Sequence, residues 1–255
     1  MEHITTDAAA PLTPDEIRRR VSDYEWYHTI DLGHGVVTPG QYNLAPIIEH
    51  YGIPASLHGR TVLDAGPAHG FFAFEFERRG AARVATAELP SWAEHDASPV
   101  LREAFDRTPA TVEEYHRGAL GFAIQARRSR VERQFCNIYD LTPERVGMYD
   151  FVFCASVLLH LTDPLRALYG LRRVCRDEAI ICTAIDTHIH VKSQPYALFR
   201  GTATGQAFWF PTMKCLEQMA LAAGFAHVEY VSTFSLRSTD GKFNTPHGTI
   251  RTLVA

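Results

Sequence analysis

Apolar residues along this chain fall into short continuous runs that alternate with segments of helical periodicity. Runs of four to eight apolar residues are typical of strands that are buried on both faces. Seven segments have this strand pattern: 61–65, 83–88, 133–136, 150–155, 179–185, 227–233 and 250–255. Three segments between them have the spacing of amphipathic helices: 71–79, 165–174 and 211–223. Strands separated by helices predict an α/β fold with a seven-stranded, mostly parallel sheet, whose last two strands form an antiparallel edge.

The residues before the first strand have a different pattern. Thr13, Pro14 and Glu16 form a capping-box start for a helix that we expect to run to about residue 24. A second helix is expected over 42–51, and the segment 26–40 between them is too rich in glycine, aromatic and polar residues for a plain connection.

We therefore divide the chain into an N-terminal helical cover, 1–56, and one α/β domain, 57–255. More than forty residues separate the second strand from the third, about twice what a helix and two turns need. The excess predicts a helical insertion at about 92–130, which could cover a site. An extra surface helix without substrate contact is the alternative.

Composition narrows the class of protein. The 255 residues fit one large domain, and 46% hydrophobic with 21% charged residues is enough to build a core. The formal net charge of −4 argues against a dedicated nucleic-acid binder. Five cysteines without a C-x-x-C pair predict buried thiols. No apolar stretch reaches the roughly 18 residues of a membrane helix, so we expect a cytoplasmic protein without membrane contact.

The strongest local signal is the segment that follows the first strand. Asp64 ends the strand, Gly66 and Gly70 allow a tight turn, and a helix begins directly afterwards. Such a turn presents backbone N–H groups to a ligand at the carboxyl edge of the sheet. The dinucleotide fingerprint requires glycine where this chain has Ala68 and Phe71, which argues against NAD.

Two later strand ends add to this signal. Glu88 ends the second strand, where a carboxylate can accept hydrogen bonds from ribose hydroxyls. Asn137 and Ile138 follow the third strand, where a turn can present an amide side chain and a backbone N–H to an adenine edge. Together they predict a nucleoside ligand without a pyrophosphate.

These residues resemble the class I S-adenosylmethionine (SAM) dependent methyltransferases. The segment from Asp64 to Gly70 is similar to their first motif apart from Ala68, where glycine is common, and Glu88 matches their ribose-binding acid. The segment 149–164 looks like their fourth-strand region. The resemblance implies a Rossmann-like fold and SAM as the cofactor. It also implies this set of cofactor-binding residues: Asp64, Gly66, Gly70, Glu88, Asn137, Ile138 and Ser156.

Within that class, the chain resembles the family that forms 5-carboxymethoxy groups on wobble uridine in tRNA, and its smaller relatives. The likeness includes the segment 26–40, Leu159 with His160, and the segment 209–211. The tRNA-modifying family has a longer N-terminal part and a tyrosine at the position of Leu159, which helps to recognise the carboxylate of carboxy-SAM. The leucine therefore favours ordinary SAM.

Methyl transfer to a hydroxyl or an acidic N–H needs alignment of the reactants and a base, and histidine has the best-suited pKa. His160 follows the fourth strand and His188 follows the fifth, so both are candidates. His28 and Asp31 are candidates from the N-terminal cover. For each histidine, a hydrogen-bonded structural role is the alternative.

Two further clusters of polar residues could bind a ligand, and each also has a simpler structural interpretation. Asp186, His188 and His190 could bind a metal, but we expect no metal and assign them to the polar lining of an acceptor pocket. The arginines within 127–133 could contact phosphate, although a solvated helix end is the simpler interpretation.

The sequence therefore predicts an enzyme that methylates an oxygen or nitrogen of a small-molecule metabolite. Modification of the tRNA wobble uridine is one alternative, and a non-catalytic methyltransferase-like binding subunit is another. The sequence leaves open which acceptor is methylated and whether the chain forms a homodimer.

Overall fold

The computed structural model describes residues 11–107, 109–188 and 193–254. In these residues the strands are β1 (Asp31–Gly33), β2 (Val36–Val37), β3 (Thr61–Ala65), β4 (Arg83–Glu88), β5 (Glu132–Phe135), β6 (Tyr149–Ala155), β7 (Cys175–Ala184), β8 (Ala197–Phe199), β9 (Trp209–Pro211), β10 (His227–Arg237) and β11 (Asn244–Leu253). The α-helices are α1 (Pro14–Arg20), α2 (Phe71–Arg78), α3 (Pro99–Asp106), α4 (Pro109–Arg127), α5 (Pro143–Val146), α6 (Pro164–Val174) and α7 (Met213–Ala222).

Seven of the strands form one sheet in the order β10-β11-β7-β6-β3-β4-β5. β3 pairs in parallel with β4 and β6, β4 with β5, and β6 with β7. β11 is antiparallel to both of its neighbours, β7 and β10. The predicted seven-stranded, mostly parallel sheet with an antiparallel C-terminal pair is confirmed, and β10 is the outermost strand of that pair.

Alternate side chains of the central strands enter two different cores, as expected for a sheet covered on both faces. On β6, Phe151 and Phe153 belong to the core that also contains α2 and α4 residues, including Phe76. Val152, between them, belongs to the core that contains α6 and α7 residues, including Leu168. The continuous apolar runs of the sequence arise because both faces of each strand are buried.

The N-terminal segment contains less α-helix than the sequence predicts. The Thr13 capping box is present, but α1 ends at Arg20 and continues only as a 3-10 turn, Val21–Asp23. The second predicted helix is a 3-10 helix, Ala45–Tyr51. Between them the chain forms the short β1–β2 hairpin.

This N-terminal segment is hydrogen-bonded to the C-terminal strand pair. The Thr239 N–H donates to the Gln41 carbonyl at 2.8 Å, and the Ser232 hydroxyl donates to the His50 carbonyl at 2.5 Å. The Arg251 guanidinium donates to the carbonyl of Gly52 at 2.7 Å. The segment is therefore attached at three points of the β10–β11 hairpin, one on each strand and one on the connection between them.

The long connection between β4 and β5 contains α3 and α4. The second half of α4 is part of the main core, because Ala119, Leu120 and Ala123 are completely buried there. This half takes the place of the ordinary covering helix between two parallel strands. The additional structure of the connection is therefore the part that precedes it.

Among the helices in the described ranges, none is both long and apolar enough to span a bilayer.

Candidate functional site

A cavity of about 1270 Å³ lies at the carboxyl ends of β3, β4 and β6. Seven of the residues proposed from the sequence line it: His28, Gly66, Glu88, Asn137, Ile138, Ser156 and His160. They come from five separate parts of the chain and meet because parallel strands end at the same edge of the sheet. Asp64, Gly70, Asp31 and His188 are not among the lining residues.

The loop after β3 has the left-handed backbone that glycine favours. Gly66 and Gly70 have φ values of 78° and 91°. A Cβ on Gly66 would lie 2.4 Å from Cγ2 of Val157, and one on Gly70 would lie 2.6 Å from Cδ1 of Leu120. Ala68 shares the left-handed backbone, with φ of 47°. The loop therefore needs its glycines both for conformation and for close packing.

Asp64 is buried beneath this loop, with 1% of its surface exposed. The loop residues that line the cavity are Gly66, Pro67, Ala68 and His69, so Asp64 lies behind the cavity wall. Its Oδ2 atom has no hydrogen-bond partner in the described part of the chain. Burial raises the pKa of Asp64 to about 8; a backbone N–H from Ala73 opposes this shift and the Glu88 charge adds to it. A carboxyl of this kind is largely protonated near neutral pH.

Glu88 is tightly held at the end of β4. Arg133 on β5 donates to both carboxylate oxygens, from Nε to Oε1 at 2.9 Å and from Nη2 to Oε2 at 2.5 Å. The Thr86 hydroxyl donates to Oε1 at 2.8 Å. The expectation that Arg133 belongs to a solvated helix end is therefore wrong, because it lies in a strand and is 18% exposed in a two-point ion pair.

Asn137 begins the 3-10 helix Ile138–Asp140 beside Glu88. Its Oδ1 accepts a hydrogen bond from the Tyr139 N–H at 3.1 Å, and its Nδ2 donates to Oε2 of Glu94 at 3.2 Å. These bonds fix the orientation of the amide. Asn137 and Ile138 are both buried and both line the cavity.

Ser156 follows β6 in a left-handed conformation, with φ of 56°. Its backbone N–H donates to the carbonyl of Cys182 on β7 at 2.7 Å. The turn leads the chain into the 3-10 helix Leu158–His160. Val157, just before this helix, packs so closely on the loop after β3 that a Cβ on Gly66 would collide with it. The two strand ends are therefore packed together.

His160 has a defined tautomer. Its Nδ1 lies 2.6 Å from the carbonyl oxygen of Gln206, and a carbonyl can only accept, so Nδ1 carries the proton. Nε2 is then the free acceptor. Burial lowers the pKa of His160, and the Gln206 carbonyl partly opposes this. An uncharged imidazole with a free Nε2 can accept a proton.

His28 and Asp31 lie in different surroundings. His28 is 4% exposed, lines the cavity, and its Nδ1 accepts the N–H of Phe71 at 3.5 Å. Burial, with a contribution from His69, lowers the pKa of His28 to about 3. Asp31 is exposed on the β1–β2 hairpin, where its Oδ1 accepts the N–H of Gly33 at 2.8 Å. His28 therefore fastens the N-terminal segment to α2.

His188 is exposed and pairs through Nδ1 with Oδ1 of Asp186. The other carboxylate oxygen of Asp186 accepts the hydroxyl of Tyr196. This cluster anchors the chain after β7 and does not line the cavity. His190 lies outside the described residues, and within those residues no group of three or more potential metal ligands is found.

The cavity is also lined by three histidines that the sequence analysis did not select as candidates: His69, His95 and His247. His69 is completely buried and its Nδ1 accepts the N–H of Tyr27 at 2.8 Å. Burial lowers the pKa values of His95 and His247 to about 4. His69 stands inside the glycine loop motif, which was a usable signal, whereas His95 and His247 come from segments without a motif.

Comparison with known proteins identifies the family. The methyltransferase domain family model matches residues 40–230, well over half of the chain. The tRNA U34 carboxymethyltransferase of Trichodesmium erythraeum (strain IMS101) is 33% identical over 84 residues, which are 31% of this chain and 25% of that protein. The aligned segment thus spans a quarter of the length of that relative.

Solved structures agree on the fold. The N-terminal domain of EvdMO1, crystallised in the presence of SAH and D-fucose, has a TM-score of 0.67 at 14% identity and covers 96% of this chain and 98% of that one. Magnesium protoporphyrin IX methyltransferase (ChlM) from Synechocystis PCC 6803, with bound SAH, has a TM-score of 0.52 at 17% identity and covers 83% and 82%. This chain therefore belongs to the methyltransferase domain family and has the Rossmann-like fold of the class I SAM-dependent methyltransferases.

Proposed function

We propose that this protein transfers a methyl group from SAM to an oxygen or nitrogen of a small-molecule acceptor. The observation that carries the proposal is the size and lining of the cavity described above. Its volume of about 1270 Å³ exceeds the roughly 300–1,000 Å³ of a typical ligand pocket. It can therefore hold a cofactor and an acceptor next to each other, and alignment of two reactants is the main requirement of methyl transfer.

The residues at one end fit the cofactor. Gly66 leaves its loop without a side chain, Glu88 offers a fixed carboxylate to ribose hydroxyls, and Asn137 with Ile138 forms a wall suited to adenine. Asp64 and Gly70 shape the loop from behind, and Ser156 faces it from β6. SAM supplies an electrophilic methyl group on a sulfonium, and these residues hold and orient it.

We define the acceptor chamber as the other end of the cavity, whose lining is apolar, aromatic and imidazole: Tyr27, His28, Tyr42, Tyr51, Phe72, Leu159, His160, Phe210, Leu236 and His247. His160 is the proposed base, because its Nε2 is unprotonated and it lies beside the strand end that carries Ser156. Residues up to 56 act as the cover of this chamber, and the catalytic domain begins at about residue 57.

The first test is binding of S-adenosylhomocysteine (SAH), the product form of the cofactor, by calorimetry. We expect one site per chain, and Gly66→Ala to weaken binding about tenfold or more, because its Cβ enters the packed loop. Gly59→Ala is the matched control: Gly59 also has a positive φ, 76°, but a Cβ there meets nothing within 4 Å and the residue does not line the cavity. Absence of SAH binding by the unmodified protein contradicts the proposal.

Modification of tRNA is the second candidate, and the 33% identity to a tRNA carboxymethyltransferase over 84 residues favours it. Two features oppose it: Leu159 is buried and apolar where a donor to carboxy-SAM is expected, and the net charge is −4. Incubation with bulk tRNA and either SAM or carboxy-SAM decides between the two. Salt-sensitive labelling of tRNA supports this candidate. Binding of SAH without turnover on any acceptor supports a non-catalytic binding subunit instead.

A further inference from the structure

The acceptor chamber has one continuous aromatic wall. The rings of Tyr27 and Tyr42 have centroids 4.9 Å apart, and Tyr27 lies equally close to His28. His28 contacts Phe72 at 6.2 Å, and Phe72 contacts Tyr51 at 4.7 Å. Neighbouring rings in this row are tilted by 54° to 83°, so faces and edges alternate along it, and a ligand ring can pack against one ring face at a time.

The charged residues around the same cavity are mostly acidic. In the described lining they are Asp23, Glu25, Glu88, Glu94, Asp96 and Arg117. Glu88 is balanced by its ion pair with Arg133, so four carboxylates remain against the guanidinium of Arg117. The field of a cleft lined mostly by one sign of charge opposes a ligand of the same sign.

The one guanidinium lies at the cofactor end. Arg117 donates through Nη2 to the carbonyl of Leu89, directly after β4, at 3.1 Å, and its guanidinium carbon is 4.6 Å from the centroid of Phe135. The nearby Arg133 is held by Glu88. A third guanidinium, that of Arg200, lies 4.7 Å from the centroid of Phe210 in the chamber wall, but Arg200 is exposed and does not line the cavity.

The histidines do not supply a positive charge either. Burial lowers the pKa of His28 to about 3 and that of His247 to about 4, and it also lowers the pKa of His160. These imidazoles are uncharged near neutral pH, and an anionic group beside them would lose its hydration without gaining a counter-charge.

We infer that the acceptor is a hydroxylated or amino-bearing ring compound without carboxylate, sulfate or phosphate, whose apolar face packs against the aromatic wall at Tyr27 and Tyr42. The inference rests on the proposed function and narrows its substrate class. A phenol and a pyranose share this chemistry, since each has a hydroxyl and a flat apolar face. The charge of the substituent, and not the type of ring, is what the chamber selects.

The test compares two sets of probes, each built on one ring and carrying an uncharged, a cationic or an anionic substituent. The phenol set is 4-ethylphenol, tyramine and 4-hydroxyphenylacetate, and the pyranose set is D-galactose, D-galactosamine and D-galacturonate. Dissociation constants are measured by saturation-transfer NMR on the SAH-loaded protein at neutral pH. We expect the uncharged member of at least one set to bind, and the anionic member of that set to bind at least about tenfold more weakly. The set that binds shows which ring the chamber accepts.

Two lysine variants separate a chamber effect from a general charge effect. Gln206 is exposed, lines the cavity, and contributes only its carbonyl to the bond with His160, so Gln206→Lys adds a cation at the chamber. We expect this variant to reduce the discrimination against the anion to less than about threefold. Thr204→Lys adds the same charge on the same loop outside the lining, and it should leave the discrimination unchanged.

Three results would overturn the inference. The first is an anionic probe that binds the unmodified protein as well as its uncharged partner. The second is a discrimination that Gln206→Lys does not alter. The third is that no uncharged probe binds at about 10 mM, a concentration that would nearly saturate a site with a dissociation constant of about 1 mM. If SAH itself fails to bind, the proposed function is wrong. The calorimetric SAH titration detects this failure independently of the probe measurements.

Discussion

Arg133 and Glu88 form a two-point ion pair across β4 and β5 at the edge of the cofactor end of the cavity. With the Thr86 hydroxyl, three of the roughly four acceptor positions of the carboxylate are filled. The remaining position is on Oε2. Glu88 is therefore oriented before any ligand binds, and a donor from the cavity finds a fixed acceptor there.

Replacing Arg133 should weaken cofactor binding. Arg133→Met removes the guanidinium that holds both oxygens of Glu88, so this carboxylate, only 9% exposed, loses its counter-charge and is free to turn. We expect the dissociation constant for SAH to rise about tenfold by calorimetry, and the loss to be smaller for Arg133→Lys, which keeps the charge.

The same strand pair offers a control. Arg83 on β4 donates from Nε and Nη2 to one oxygen, Oε2, of Glu132 on β5, at 3.0 and 2.6 Å, and neither residue lines the cavity. Arg83→Met should leave SAH affinity within about twofold, because exposed pairs contribute little. Equal effects of the two substitutions would mean that Arg133 acts only through the stability of the sheet.

His160 should be required for turnover but not for cofactor binding. We expect His160→Gln to reduce kcat about 10² to 10⁴ fold while the dissociation constant for SAH stays within about twofold. His188→Gln should have no such effect, since His188 is exposed outside the cavity. Unchanged turnover in the His160 variant removes its assignment as the base.

The pH profile gives an independent readout of His160. Burial lowers its pKa, so the uncharged form persists on the acid side of the ordinary value of about 6.5. The acid limb of kcat/KM should therefore have an apparent pKa below about 6.5, and it should vanish in the residual activity of His160→Gln. An acid limb at or above 6.5 would point to a different titrating group.

Several parts of this arrangement could be predicted from the sequence. The strands are continuous apolar runs, and the Gly66 and Gly70 turn is a local pattern of residue types, so both can be recognised without knowing what lies beside them. The Arg133–Glu88 pair could not, because it depends on the register that places Thr86 opposite Arg133.

The wrong placement of His188 in the acceptor pocket also results from information that the local sequence does not contain. His188 was expected to line the acceptor pocket just after the fifth strand of the sheet, but neither it nor Asp186 lines the cavity, although β7 ends at Ala184, close to where the strand was predicted to end. His247, which does line the cavity, reaches it from the last strand, where it pairs with Ala184. Which strand end carries a side chain into the cavity depends on sheet order, and the local pattern does not contain that information.

Acid should destabilise the fold through the buried histidines. The pKa of His247 is about 4 in the folded protein and about 6.5 in the unfolded chain, so the unfolded chain takes up the proton first as the pH falls. The stability is complete above about 6.5 and is lost as the pH falls towards 4, by up to about 3 kcal/mol for this group. His28, with a pKa of about 3, adds a loss of the same sign.

Urea unfolding at pH 7.5 and pH 5 measures this effect. His247→Gln should reduce the difference in the free energy of unfolding between the two pH values by about 1–2 kcal/mol. His227→Gln, at an exposed position on β10, controls for the loss of a histidine as such. An unchanged pH difference in the His247 variant would show that other groups cause the acid sensitivity.

Ala68 should be a point of local strain that glycine relieves. Its φ of 47° is left-handed, and an L-residue with a Cβ has a cost of about 1–2 kcal/mol there, while glycine has none. After the greater freedom of glycine in the unfolded chain is subtracted, Ala68→Gly should raise the free energy of unfolding by about 0.5–1 kcal/mol. Ala55→Gly is the control, because Ala55 is exposed and has no positive φ, and it should lower stability by a similar amount. Urea unfolding without ligand measures both, and equal losses in the two variants would show that the Ala68 backbone is unstrained.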